Sequence, residues 1–180
     1  MRSLSRALAV STLVSCVVIG CEEKIKPTVL PGLDSQTLPE QESWNSKIVL
    51  SDSGHVKAVI HAGYLRVFQS PAETHMTEGI EVHFYDDGGT ESSILTAKEG
   101  KVNDITKDFE AVGDVVVVSS DSTRLRTEKL FWDNKKQLIH TPEFVRITSP
   151  KERLQGFGFE SDQHLRSYRI FRVSGETVPQ

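Results

Sequence analysis

The chain has 180 residues, 21 Lys and Arg against 25 Asp and Glu, and a formal charge of −4, a balance unsuited to non-specific nucleic-acid binding. Its length supports one domain with a real core and is short for two. Only two cysteines are present, Cys16 and Cys21, both near the amino terminus, so no disulfide, zinc site or thiol nucleophile is expected further along.

The first segment reads as an address. Arg2 and Arg6 supply a positive start, Ala7 to Ile19 an apolar stretch too short for a confident membrane span, and Gly20 a small residue before Cys21. The run Val18-Ile19-Gly20-Cys21 has the form of a bacterial lipoprotein cleavage box, so residues 1–20 are expected to be a signal peptide and Cys21 the lipidated start of the mature chain. Two or more acyl chains on one residue make anchoring stable where one does not. From 21 to 43, Pro27, Pro31, Gly32 and Pro39 interrupt a polar stretch without periodicity, which reads as a tether.

From Trp44 to the end at residue 180 the apolar residues recur with period two, as in Ile80-Glu81-Val82-His83-Phe84, and no helical period competes. Asp52-Ser53-Gly54, Asp86-Asp87-Gly88-Gly89, Asp133-Asn134 and Ser149-Pro150 mark chain reversals. The expected domain is therefore all-β and antiparallel. The strands also repeat: Asp104, Asp133 and Asp162 lie 29 apart, and Gly79, Gly113 and Pro142 open successive runs at intervals of 34 and 29. Aligning those openers places Val82 with Val116 and Val145, and Phe84 with Val118 and Ile147. Ile60, Leu95, Leu125 and Leu154 open a second set of similar segments. About four short units of this kind bury a face only by stacking on one another.

Charge is distributed unevenly. Residues 22–123 hold 8 Lys and Arg against 18 Asp and Glu, while residues 124–180 hold 11 against 7. The basic set, Arg124, Arg126, Lys129, Lys151, Arg153, Arg166, Arg169 and Arg172, suits lipid phosphates, an acidic partner, or the blunting of a sheet edge. Catalytic patterns are missing. His55, His61, His75, His83, His140 and His164 have no metal-ligand spacing, and no nucleophile elbow or phosphate loop occurs, so neither enzyme activity, metal nor cofactor is expected.

The segments Leu125-Arg126-Thr127-Glu128-Lys129-Leu130-Phe131-Trp132-Asp133, Gln137-Leu138-Ile139-His140-Thr141-Pro142, Val145-Arg146-Ile147, Leu154-Gln155-Gly156-Phe157-Gly158-Phe159 and Val173-Ser174-Gly175, following an anchor and a tether, resemble the LptC family. The resemblance runs from about Trp44 to Gly175 and lies in order and spacing, not in one motif. It implies an open, twisted β-jellyroll of two facing antiparallel sheets, related to the OstA-like domains. It further implies export of lipopolysaccharide, received from an inner-membrane ABC transporter docked at the N-terminal edge and passed to a soluble bridge protein at the C-terminal edge. Family members of the best-known type carry a transmembrane helix where this chain has its cleavage box. The expected address is accordingly the periplasmic side of the inner membrane, by a lipid anchor. An envelope lipoprotein that only assembles with other proteins is the alternative.

The inward row expected to line the lipid groove is Val82, Phe84, Leu95, Val116, Val118, Leu125, Leu130, Trp132, Val145, Ile147, Leu154 and Phe159. Alternation alone equally describes an ordinary sandwich core. The expected partner edge is Tyr168, Ile170 and Val173.

Overall fold

In the computed structural model residues 38–177 are described, and every regular element among them is a strand. The cleavage box, Cys21 and most of the tether lie outside the described residues. In chain order the strands are β1 (Gln41–Asp52), β2 (His55–Gln69), β3 (Ala72–Tyr85), β4 (Glu91–Ala97), β5 (Glu99–Asn103), β6 (Phe109–Ser119), β7 (Arg124–Asp133), β8 (Leu138–Thr148), β9 (Arg153–Ser161) and β10 (Tyr168–Thr177). The first strand begins at Gln41, three residues before the expected domain start at Trp44.

All ten strands belong to one antiparallel sheet in the order β1-β2-β3-β4-β6-β7-β8-β9-β10, with β5 beside β4 between β3 and β6. The reversals expected from the sequence are all present, and their chemistry is local. Ser53 and Gly54 turn β1 into β2 with φ of 51° and 82°, the positive pair that a tight two-residue hairpin demands. Asp86 Oδ1 accepts from the amides of Gly88 and Thr90, and Ser149 Oγ from those of Lys151 and Glu152.

A crease of irregularities crosses the sheet and gives it depth. Register shifts fall between Ala62 and Tyr64 on β2, Val112 and Val115 on β6, Thr127 and Phe131 on β7, and Thr141 and Phe144 on β8. Between them, Lys98 separates β4 from β5, its carbonyl accepting from Gly79 N and its amide donating to Gly113 O. Bulges bend strands and add twist, and aligned bulges fold a sheet upon itself. The openers Gly79, Gly113 and Pro142 all lie on this line, so the sequence repeat records where successive strands cross the crease.

On one side of the crease lie the partners Ile60, Val82, Leu95, Val117, Leu125, Ile147 and Leu154, each in register with the next across six strand pairs. On the other side run Leu65, Met76, Gly100, Ala111 and Leu130. Leu125 and Met76 are both 0% exposed, which a bare sheet face cannot achieve. The two halves must cover one another, and their buried side chains form a single cluster. The expected two facing sheets are therefore two halves of one folded sheet.

Candidate lipid-binding interior and sheet edges

Of the expected groove residues, Val82, Leu95, Leu125, Leu130, Val145, Ile147 and Phe159 are buried in the common core. Phe84 and Trp132 are half-buried and packed against it. Leu154 is half-buried and continues the inner row through Ile147. The structure thus brings ten of the twelve positions onto one concave face.

Val116 and Val118 are the two exceptions. Both lie on the outer face, where Val116 pairs with Thr96 and Arg126, and Val118 with Ile94 and Arg124. Their neighbours Val115 and Val117 are buried instead. The cause is the place of the glycine in the bulge: Gly113 comes first in its positive-φ pair, before Asp114 (83° and 48°), whereas Gly79 comes second in its pair, after Glu78 (62° and 87°). Counting from Gly113 as from Gly79 therefore falls one residue short, and a one-residue slip reverses the face. The run Val115-Val116-Val117-Val118 carries no alternation that could have signalled it.

Other interior residues were not among the expected groove positions. Met76, Ile80, Ala111 and Ile139 complete the wall, and the alternation of Thr74-His75-Met76 was the signal available for the first of them. Leu165 had no such signal. It sits between β9 and β10 with φ of 56° and is 2% exposed, so this loop turns a leucine into the core. The loop is also tied to β4, where Ser93 Oγ donates to the carbonyl of Gln163 at 3.1 Å.

Beside β1 the inner face opens into a depression of about 290 Å³, lined by Gln41, Ser43, Ser46, Ile48, Leu65 and Thr74 among others. Ile48 pairs with Ile60 there and extends the apolar row to the edge strand.

The two ends of the sheet are strands with no neighbour on one side among the described residues, β1 and β10. On β1, Trp44 is 62% exposed and stacks on Tyr64 at 5.1 Å. On β10 the expected partner residues divide. Tyr168 and Ile170 pack against the core, whereas Val173 is exposed, as is Phe171. Tyr168 Oη donates to Glu152 Oε1 at 2.5 Å. Burial, then this bond, raises the phenol above its ordinary range.

Several polar groups of the outer face pair with one another. Lys101 bridges Glu73 at 3.4 Å and Glu110 at 3.9 Å, and Lys129 pairs with Glu110. His83 stands between Glu91 at 2.6 Å and Glu81 at 2.7 Å, and these two bonds, Glu91 first, raise its pKa despite partial desolvation. Among the described residues no group of three or more His, Cys, Asp and Glu is arranged to hold a metal ion. The chemistry available is thus apolar enclosure, two unpaired backbone edges, and charge.

A family model described as "Lipopolysaccharide-assembly, LptC-related" matches residues 45–173, which spans β1 to β10. No curated protein matches the chain.

Proposed function

This chain belongs to the LptC family, a periplasmic component of lipopolysaccharide transport, and on that premise we propose that its folded sheet carries lipopolysaccharide acyl chains between the half-sheets. It receives them at the β1 edge from an inner-membrane ABC transporter and passes them at the β10 edge to a soluble β-jellyroll bridge protein. The observation that carries this reading is the unbroken apolar row from Ile48 on β1 to Leu154 on β9, in register across eight strands. A lipid moving along it would meet hydrocarbon at each step and no directional polar contact.

The interior is closed by its own side chains, since Leu125, Val145 and Phe159 are all 0% exposed. Acyl chains would therefore enter by parting the half-sheets, starting at the depression beside β1. Burial of hydrocarbon returns about 0.8 kcal/mol per methylene, and separating the core side chains offsets part of it. The net grip is modest, which suits a carrier that must release its cargo. Cys21 would hold the domain near its transporter, and exposed Val173 on β10 leaves that edge available for strand addition.

The test is site-specific photo-crosslinking in cells. A photoreactive residue at Ile48, Trp132 or Leu154 is expected to capture lipopolysaccharide, and one at outward-facing Val116 is not. Protein adducts alone at the three inward positions would overturn the carrier reading.

A further inference from the structure

Four arginines stand together on the outer face of β7, β8 and β9. Leu125 is buried, so its neighbours Arg124 and Arg126 point outward, and both are exposed. Arg126 is the direct cross-strand partner of Arg146, and Arg124 lies opposite Thr148, which in turn lies opposite Arg153. Residues paired in an antiparallel ladder have Cα atoms roughly 4.5–5.5 Å apart, and neighbouring strands are spaced about 4.8 Å. The four side chains therefore spring from a patch about 10 Å across.

Like charges placed directly opposite one another destabilise a sheet. Elsewhere on this outer face the protein avoids that arrangement by interleaving Glu73, Lys101, Glu110 and Lys129. None of the four arginines has a carboxylate partner among the described residues, where the ion pairs engage Lys57, Lys98, Lys101, Lys129, Lys136 and Arg169 together with two histidines. Nearby Glu152 accepts from Tyr168 instead. Arg146 rests over the ring of Phe144 at 5.5 Å, which supports its guanidinium on an apolar platform.

The surface next to the arginines is apolar. Val116 and Val118 on β6 and Ile94 on β4 share this outer face and are half-buried, Val116 in register with Arg126 and Val118 with Arg124. A bank of uncompensated guanidiniums beside a strip of aliphatic side chains complements the phosphates and glycerol region of an anionic lipid surface. Arginine forks match phosphate oxygens in pairs, which lysines do not. We propose that this outer face of β6 to β9 docks on an anionic phospholipid membrane, with Arg124, Arg126, Arg146 and Arg153 on the phosphates. The docking involves the outside of the sheet and does not rest on the carrier reading of its inside.

The test uses the full chain, reconstituted through its own amino-terminal segment into phosphatidylcholine vesicles with and without phosphatidylglycerol. A photoreactive residue replaces Thr148, whose exposed side chain stands between Arg124 and Arg153. Phospholipid labelling is expected only in vesicles containing phosphatidylglycerol. In the Arg126→Gln, Arg146→Gln variant it is expected to fall by roughly tenfold or more, since each basic residue near such a surface contributes about a factor of five. Both substitutions are on exposed side chains, and an unchanged urea midpoint verifies the fold. Labelling that is indifferent to phosphatidylglycerol or to the double substitution overturns the proposal. Exclusive capture of protein by the same probe in cells overturns it in favour of an acidic protein partner.

Discussion

Replacing Val117 and Val116 separately with Ala asks which valine of the β6 run faces the core. Val117 is 2% exposed and flanked in its row by Leu95 and Leu125. The substitution removes two methyl groups, about 1.6 kcal/mol in transfer free energy, and the close packing around the site adds a cavity cost. The expected loss is about 2–3 kcal/mol. Val116 stands between Thr96 and Arg126 on the outer face and is half-buried, so its truncation forfeits part of the transfer term and leaves a dent that water fills. About 0.5–1 kcal/mol is expected there. The lower strand preference of alanine acts alike at both sites, so the difference between variants isolates the face. Urea unfolding followed by tryptophan fluorescence, using Trp44 and Trp132, reads both stabilities. Equal losses, or a larger loss at Val116, would refute the assignment of β6 and with it the explanation from the Gly113-Asp114 bulge.

Two further outcomes are expected. Gly156→Ala places a Cβ atom 2.2 Å from the carbonyl oxygen of Arg172 and 2.8 Å from Ile170 Cγ2, so β10 has to lift from β9. A loss of about 1–3 kcal/mol is expected, with faster hydrogen exchange confined to β10; unchanged exchange would show that β10 tolerates the contact. Glu91→Gln removes the larger of the two bonds that raise the pKa of His83, so the ring should titrate at lower pH in an NMR series. Because the folded pKa lies above the unfolded value of about 6.5, this pair's contribution to stability is full below that pH and is lost as pH rises through the folded pKa. A variant whose stability keeps the wild-type slope in that range would rule the linkage out.

Much of the fold was legible because strand alternation and turn chemistry are local. Asp52-Ser53-Gly54 and Asp86 to Gly89 turn where their residues require it, and Ile60, Leu95, Leu125 and Leu154 share one row because each occupies the same place in its unit. The inward face was legible to the same extent, with ten of the twelve expected positions turned inward. Val116 and Val118 were not, because Gly113 opens its bulge where Gly79 closes one, and a valine run looks the same in either register. Leu165 was hidden for another reason, since its burial depends on a loop reaching across to β4 and on a backbone conformation that leucine rarely adopts.

The sequence by itself determined the class of the domain and its reversals, which depend on residues close together along the chain, and its repeat and family, which depend on the order and spacing of such segments. Only the tertiary structure decided that the repeat openers lie on one crease, that the two layers are halves of one sheet, and that four arginines share a single patch. Those properties arise from hydrogen-bond register between strands, and register is a relation between distant segments that no single segment encodes.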